Sequence, residues 1–532
     1  MSHISRWKLR TIASVIALSA VLAQPAPIWA AGKTISAVMH ADLRDPGMPS
    51  TAYIYRDFGY MIYDTLLAED SNFKIQPQMA EYKISDDKLT YTFTLRDGLK
   101  WHDGTPVTSE DCVASLQRWG KADAMGQQLM LFTDSITAPD AKTIVLKLKE
   151  PYGLVLDAIG KPSSLVPFMM PKRLAETPAG KPIPELIGSG PFKFVQAEFQ
   201  PGVKAVFEKN KDYLPRKEAP SWTSGGKVVK VDRVEWITMA DAQTAVNALQ
   251  AGDIDFLEIP SFDILPVLKG NPDLKVETLN KLGFQTMGRM NFLLPPFDNV
   301  KVRRAALLAM NQKDVLDALI GNPEYFKTCG AIFVCGTPLA TDVDSETIVK
   351  GTGMAEAKKE LAASGYDGTP VVIMAPGDVV SLKAQPIVAA QALREAGFKV
   401  DLQATDWSTI ISRRTSQKPL KEGGWSMFFT NWAAADLVNP AVNFPIGGRG
   451  KNGGWFGWAE DPKAEQLKLD FARAQTAEEQ KKIAAEIQKE VYEQVLYIPL
   501  GQFEQPSAWR KTLTGVLDGP ATPIFWNMDK AE

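Results

Sequence analysis

One segment of the sequence is especially informative about the fold: Tyr91-Thr-Phe-Thr-Leu-Arg-Asp-Gly-Leu-Lys-Trp-His-Asp-Gly-Thr-Pro-Val-Thr108. Its first residues alternate apolar and hydroxyl side chains, which predicts a half-buried β-strand. Two Asp-Gly pairs follow, and each predicts a turn. The stretch runs into Thr108-Ser-Glu-Asp111, which has the spacing of a helix capping box. We therefore expect a strand, two turns and the start of a helix.

Strands and helices alternate on both sides of this stretch. Val371–Met374 predicts a short buried strand, residues 383–396 predict a helix that ends at Gly397, and residues 398–402 predict a second strand. Such a strand–helix–strand unit favours parallel pairing. The 532 residues also exceed what one core usually supports. We predict a mixed α/β protein with at least two sheets and two domains.

Two proline-rich passages divide the chain. One is Leu294-Pro-Pro-Phe297, and the other lies beyond Ile498-Pro-Leu500. If the chain crosses between domains at both places, the segment between them forms one lobe. The C-terminal strand then rejoins the first lobe. This organisation predicts one large discontinuous lobe and one contiguous lobe.

The first thirty residues have the pattern of a secretory signal peptide. Residues 6–10 carry three basic side chains, the apolar run Ile12–Ala23 follows, and small residues lead to a cleavage site after Ala30. The apolar run is shorter than the roughly 20 residues that a bilayer span needs. Because no Cys lies near the cleavage site, we expect a periplasmic protein that is not a lipoprotein.

Removal of residues 1–30 makes the chain more acidic. The whole chain has 59 basic and 62 acidic side chains, and the removed segment has three basic ones. The remainder has 56 basic against 62 acidic side chains, a net charge of −6. A negative surface argues against nucleic acid and anionic membranes as partners.

The chain has three cysteines, Cys112, Cys329 and Cys335. In an oxidising compartment, a disulfide between Cys329 and Cys335 is expected, because disulfides persist there and the two residues close a short loop. Cys112 is then left over. It follows two acidic residues at a predicted helix start, and we expect a buried, inert thiol.

Motifs of hydrolytic enzymes are absent from the sequence. It has no Gly-x-Ser-x-Gly nucleophile elbow and no His-Glu-x-x-His zinc motif. After signal removal only His40 and His102 remain, which is poor material for a transition-metal cage. We expect His102, between two turns, to be structural. The chain is therefore predicted not to be an enzyme and to hold no metal or cofactor, with a secreted hydrolase built on paired carboxylates as the alternative.

The sequence resembles the peptide/nickel class of extracytoplasmic solute-binding proteins of ABC importers, the dipeptide- and oligopeptide-binding proteins of family 5. The quoted stretch is similar to that family's signature segment. The other segments that carry the resemblance, in their expected order, are Gly188–Lys193, Asn291 with Pro295–Arg304, Ala363–Gly368 and Tyr497–Leu500. The resemblance covers almost the whole chain after residue 30.

This resemblance implies a two-lobed periplasmic-binding-protein fold of type II, the Venus-flytrap fold, with an extra subdomain in lobe I. Lobe I is expected at 31–285, with the inserted subdomain at about 55–185. Lobe II is expected at 286–500, and 501–532 return to lobe I. The implied function is capture of a peptide between the lobes by a monomer, which delivers it to ABC transporter permease subunits in the inner membrane.

The same resemblance points to ligand-binding residues in Asn431-Trp432-Ala-Ala-Ala-Asp436-Leu-Val-Asn439-Pro440. It implies that Asp436 pairs with the amino terminus of the ligand, because a buried ammonium needs a carboxylate. The alternative is that Asp436 only caps the turn before Pro440. Trp432 is expected to face the cleft, and Asn431 and Asn439 are further candidates from the same stretch.

A peptide-binding protein also needs a cation for the far carboxylate, and an Arg after Val371–Met374 is expected from the resemblance. No Arg stands there, so Lys383, Arg413 and Arg414 are possible substitutes. In the first loop, His40 and Arg44 are candidates to line lobe I. This departure keeps open another polar solute, such as glutathione, an opine, an oligosaccharide or a chelated metal.

Overall fold

The structure is a computed structural model, and it describes residues 32–47, 53–178, 181–239 and 241–531. The predicted signal peptide, residues 1–30, lies outside these ranges. Within the described ranges, none of the helices combines the length and the apolar composition that crossing a membrane requires.

The strands in chain order are β1 Thr34–Val38, β2 Leu67–Glu69, β3 Ile75–Pro77, β4 Ala80–Ile84, β5 Thr90–Leu95, β6 Thr133–Thr137, β7 Thr143–Leu148, β8 Phe192–Phe194, β9 Lys204–Lys209, β10 Arg233–Ile237, β11 Phe256–Leu257, β12 Leu274–Glu277, β13 Phe284–Met290, β14 Phe326–Lys327, β15 Val371–Pro376, β16 Val400–Thr405, β17 Met427–Ala433, β18 Ile498–Phe503, β19 Ser507–Arg510, β20 Leu513–Thr514 and β21 Asp529–Lys530.

The α-helices in chain order are α1 Tyr53–Ile62, α2 Ser109–Ala122, α3 Ala124–Phe132, α4 Val155–Gly160, α5 Lys172–Ala175, α6 Ala242–Ala251, α7 Leu265–Gly270, α8 Val300–Ala309, α9 Gln312–Leu319, α10 Glu346–Lys350, α11 Met354–Ala363, α12 Ala384–Ala396, α13 Trp407–Arg413, α14 Pro462–Arg473 and α15 Ala477–Gln494.

The segment from Tyr91 to Asp111 folds as predicted. Strand β5 buries Tyr91, Phe93 and Leu95 on one face. Helix α2 begins with the predicted capping box, in which Thr108 Oγ1 accepts from the Asp111 backbone N–H and the Asp111 carboxylate accepts from the Thr108 N–H. Two of the four unpaired N–H groups of a helix start are satisfied in this way.

Two large sheets organise the chain. The seven-stranded sheet has the order β12-β19-β11-β1-β10-β9-β8, and we call the part built on it lobe I. The six-stranded sheet has the order β14-β18-β13-β17-β15-β16, and we call the part built on it lobe II. A four-stranded sheet, β4-β5-β7-β6, forms the inserted subdomain between β1 and β8. The predicted parallel pairing of β15 with β16 is confirmed.

The chain passes between the two large sheets at residues 278–283, from β12 to β13, and at residues 504–506, from β18 to β19. The prediction of a crossing at Leu294–Phe297 is wrong. Strand β13 already belongs to the sheet of lobe II before those prolines, and Phe297 packs in the same core as Met287 and Met290 of that strand. Proline content indicated a break in secondary structure there, and the break joins β13 to α8 within one lobe.

Helix α1 falls in the range that was expected for the inserted subdomain, about 55–185, yet it packs on the sheet of lobe I. The Phe58 ring lies 5.2 Å from the ring of Phe194 and 5.9 Å from that of Phe207, centroid to centroid. Eight of its ten residues are buried, including the charged pair Arg56 and Asp57. This helix therefore carries two buried charges on the framework of lobe I.

The cysteine predictions are confirmed. Cys329 and Cys335 form a disulfide. Cys112 is a buried free cysteine, and burial raises the pKa of its thiol far above the ordinary value. A thiol with so raised a pKa is a poor nucleophile, because the thiolate is the reactive form.

Candidate functional site

The candidate site lies where the two lobes meet, at the carboxyl ends of two neighbouring parallel strands of lobe I. Strands β1 and β11 pair in parallel, so their carboxyl ends reach the same edge of the sheet. His40 follows β1, and Glu258 follows β11 directly. Open sheets of this kind bind ligands outside the carboxyl ends of their strands. Helix α1 brings Arg56 and Asp57 to the same edge.

His40, Glu258 and Asp57 form a cluster on lobe I. His40 Nδ1 lies 2.8 Å from Glu258 Oε2 and 3.8 Å from Asp57 Oδ2. Burial alone would lower the pKa of His40, but the charges of Glu258 and Asp57 and the hydrogen bond to Glu258 outweigh it and raise the pKa to about 9. Burial, reinforced by the charge of Glu258, raises the pKa of Asp57 to about 8. The three side chains therefore interact strongly with one another in a place that water reaches poorly.

An ion pair joins the two lobes beside this cluster. Arg56 Nη1 of lobe I donates to Asp436 Oδ1 of lobe II at 2.9 Å, and both side chains are buried. The Ser164 N–H donates to the same oxygen at 2.7 Å. Ser164 has a φ of 54°, in the left-handed region that is rare for residues other than glycine, and such positions cluster at ligand-binding places. Two donors from the side of lobe I therefore hold one carboxylate of lobe II.

The other edge of the Arg56 guanidinium keeps unused donors. Its Nε and Nη2 atoms are buried and have no hydrogen-bond partner among the residues that the structure describes. The guanidinium carbon lies 5.0 Å above the ring of Tyr53, whose hydroxyl accepts from the Ala433 N–H of lobe II at 2.7 Å. A buried guanidinium with spare donors can accept a further anion, because Arg binds carboxylates in a two-pronged geometry.

Two small cavities lie near the ion pair. One has a volume of about 40 Å³ beside His40, Glu258 and Phe284. The other has a volume of about 30 Å³ beside Glu69 and Asn439. Burial, together with the neighbouring carboxylates, raises the pKa of Glu69 to about 8. The space between the lobes is thus lined by ionisable groups of both signs.

The structure brings only some of the predicted ligand residues to this place. Asp436 accepts hydrogen bonds from lobe I, so the alternative that it only caps its own turn is wrong. Asn439 lines the smaller cavity, and its Oδ1 accepts from the Ala441 N–H at 2.9 Å. His40 lines the larger cavity. Contact of these residues with a solute stays a prediction.

Asn431 and Trp432 are engaged within lobe II. The Asn431 side chain accepts from Gln385 Nε2 at 2.8 Å and donates to the Ser381 carbonyl at 2.9 Å. Trp432 is half-buried, and its ring stacks on that of Phe444 with a centroid distance of 6.3 Å. Both residues therefore support the β17 segment that positions Asp436, and their contact with a solute stays a prediction.

The cations that were expected to replace the missing Arg have other contacts. Arg413 donates to the carbonyls of Gly423 and Gly424 at 2.9 and 2.7 Å, so it holds a loop of lobe II. Arg414 lies over the ring of Phe456 at 4.6 Å. Arg44 is largely exposed and pairs with Asp42. Lys383 stands immediately before helix α12 and lines neither of the two cavities described above.

Arg56 is the functional candidate that the sequence analysis missed. The sequence contains one signal for it: Arg56 and Asp57 are the only charged residues of the ten-residue helix α1. Two adjacent charges on a helix that buries most of its surface need partners, and such partners are expected at a site. The partner of Arg56, Asp436, is 380 residues away, so only the tertiary structure shows the pair.

Comparisons with known proteins agree with this architecture. Residues 74–454 match the family model "Bacterial extracellular solute-binding proteins, family 5 Middle". The probable peptide ABC transporter periplasmic-binding protein y4tO of Sinorhizobium fredii is 40% identical over 510 residues, which cover 94% of each chain.

Two solved structures share the fold. One is the PBP AgaA in complex with agropinic acid from A. tumefacien R10, with a TM-score of 0.76, 21% identity, and coverage of 94% of this chain and 99% of that one. The other is DppA from Helicobacter pylori in complex with the peptide STSA, with a TM-score of 0.75, 20% identity, and coverage of 94% and 98%.

Two lobes on separate sheets, joined by two short crossings and meeting over a charged cleft, define a periplasmic-type solute-binding protein. The chain belongs to the bacterial extracellular solute-binding proteins, family 5. The predicted two-lobed α/β fold with an extra subdomain in lobe I and the predicted family are confirmed.

Proposed function

We propose that this protein captures a short peptide, or another small solute that carries both an ammonium and a carboxylate, between its lobes. The observation that carries this proposal is the buried pair of Arg56 and Asp436, which joins the two lobes with one edge of the guanidinium still unused. Such a pair offers both charges that a zwitterion needs.

A zwitterionic solute can replace this ion pair with two. The ammonium group of the solute pairs with Asp436 on lobe II, and its carboxylate pairs with Arg56 on lobe I. Each new pair matches a buried charge that would otherwise cost several kcal/mol. The solute then bridges the lobes and favours the closed arrangement through its extra affinity for that arrangement. Residues 278–283 and 504–506 are the segments that can absorb the hinge motion.

The cellular role follows from the family. We infer that the protein is exported by the signal peptide at residues 1–30, works in the periplasm without a lipid anchor, and delivers its solute as a monomer to the permease subunits of an ABC importer. The relative y4tO is named as a component of such a peptide transporter. Transfer of a captured solute needs no bond to be broken, so no catalytic role is assigned to the cleft.

A thermal-shift screen with matched ligands tests the zwitterion. A degenerate tripeptide library with free termini should raise the melting temperature, because a ligand that binds only the folded state stabilises it by mass action, by about 2.7 kcal/mol at 100 times its Kd. The N-acetylated and the C-amidated forms of the library should each lose most of this shift. Equal shifts for all three forms would contradict the anchoring by Arg56 and Asp436.

A second candidate is a polar metabolite without the ordinary peptide backbone, such as glutathione, whose first linkage runs through a side-chain carboxyl, or an opine. The missing Arg after Val371–Met374 favours it, and the related fold of AgaA is solved with agropinic acid. A shift with glutathione or an opine, together with no shift from the free tripeptides, would select this candidate.

A further inference from the structure

The cluster of His40, Asp57 and Glu258 has the composition of a metal site. These residues come from the loop after β1, from helix α1 and from the end of β11. One ligand atom from each lies within 4.8 Å of the other two, and His40 Nδ1 is 2.8 Å from Glu258 Oε2. Three converging donors from three separate elements are positioned by the fold and do not depend on one flexible loop.

Asp57 supplies an independent sign that a cation belongs there. Asp57 is 2% exposed, and within the described part of the chain neither of its carboxylate oxygens has a partner at hydrogen-bonding distance and angle; the Thr522 hydroxyl beside it is likewise unpaired. Buried polar groups in folded proteins are nearly always satisfied, and an unsatisfied buried carboxylate is costly. A metal ion coordinated by this carboxylate removes the deficit, and the neighbouring His40 and Glu258 complete the donor set.

We propose that His40, Asp57 and Glu258 bind one divalent transition-metal ion of the Zn²⁺ class. An imidazole nitrogen with two carboxylates suits such ions, whereas Mg²⁺ and Ca²⁺ prefer oxygen donors alone. The ion replaces the proton that His40 carries in the metal-free protein; the imidazole is then neutral, and the two carboxylates balance the double positive charge of the ion. Three protein ligands leave a fourth position open. Because His40 and Glu258 line the larger of the two cavities described above, this position faces that cavity.

The sequence does not predict this site, since the expectation of no metal rests on the small number of histidines and cysteines. Only one histidine takes part, and the two carboxylates are separated from it by 17 and 218 positions in the chain. The proposed metal ligands lie beside the solute site but include neither Arg56 nor Asp436, and the uptake of metal is measured without any peptide, so failure of the metal site and failure of peptide binding are distinguishable.

Equilibrium dialysis of untagged, EDTA-treated protein against Zn²⁺, with metal counted by mass spectrometry, tests the proposal without any peptide present. The wild type should take up one Zn²⁺ per chain, and an equal concentration of Ca²⁺ should not compete. Asp57→Asn should weaken uptake at least about tenfold, since changes even outside the ligand set cost 10–100-fold. The matched control is Asp342→Asn, which removes an exposed carboxylate from a pocket that Asp342, Asp344 and Glu346 line beside the Cys329–Cys335 disulfide. This variant should take up as much Zn²⁺ as the wild type.

Absence of stoichiometric uptake by the wild type would overturn the proposal, as would uptake that Asp57→Asn leaves unchanged, because the ion would then sit on surface carboxylates. Circular dichroism checks that each variant folds. If Asp57→Asn does not fold, Glu258→Gln removes a less buried ligand, and it should weaken Zn²⁺ uptake to a similar degree. Unchanged uptake by a folded Glu258→Gln would also count against the site.

Discussion

Removal of the Asp436 carboxylate should open the protein without unfolding it. Asp436→Ala removes the carboxylate that pairs with the buried Arg56 at 2.9 Å and the acceptor of the Ser164 N–H at 2.7 Å. Breaking a buried ion pair by removing one partner costs about 3–5 kcal/mol. Because the pair joins the two lobes, this cost falls on the closed arrangement, and water can solvate Arg56 when the lobes separate.

The expected magnitude is large enough to measure. A cost of about 3 kcal/mol corresponds to a change of roughly 150-fold in the ratio of closed to open molecules, since every 1.4 kcal/mol is a factor of ten. Small-angle X-ray scattering without added solute should therefore show a larger radius of gyration for Asp436→Ala than for the wild type. Urea unfolding should show a free energy of unfolding close to that of the wild type.

The matched control is Asp64→Ala, which breaks an ion pair of the same kind within lobe I. Asp64 Oδ1 accepts from Lys227 Nζ at 2.8 Å, and the two side chains are 1% and 0% exposed. This variant should lose several kcal/mol of unfolding free energy and keep the wild-type radius of gyration. If Asp436→Ala instead loses unfolding free energy like Asp64→Ala and scatters like the wild type, the pair does not govern lobe closure.

Two further predictions concern stability. His102 Nδ1 accepts from the Gly188 N–H, and Nε2 faces the Gly190 carbonyl, both at 3.2 Å, so the neutral ring fits and burial lowers the pKa of His102 to about 4. In the unfolded chain this histidine takes up a proton near pH 6.5, whereas in the folded protein it stays neutral until about pH 4. Lowering the pH from 7 to 4.5 therefore favours the unfolded state. The wild type should lose about 2–3 kcal/mol more unfolding free energy over this range than His102→Gln does. An equal loss in both proteins would refute this assignment. Replacing Cys329 and Cys335 together by Ser should lower the unfolding free energy by about 2 kcal/mol, because the bridge closes a short loop; unchanged urea unfolding would contradict this.

Features with local causes could be predicted from the sequence. The strand that contains Tyr91, the capping box at Thr108 and the helix that ends at Gly397 follow from side-chain periodicity and turn chemistry over a few residues. The disulfide could be predicted because its cysteines are six positions apart.

The parts of the site that depend on long-range contacts could not be predicted. Asp436 was selected through the family resemblance, but its partner Arg56 stands 380 positions earlier on a helix whose pattern predicts a core element. The crossing between lobes was placed at Pro295 and Pro296, because prolines indicate a break in a strand or helix but not which sheet the next strand joins.

Native mass spectrometry of the wild type, purified without denaturation from cells grown in a peptide-rich medium, tests solute capture most directly. We expect one added small mass per chain, which fragments to amino-acid ions and dissociates when the protein is partly unfolded. A spectrum with the mass of the polypeptide alone, or with an adduct that survives unfolding, would contradict capture of a peptide between the two lobes.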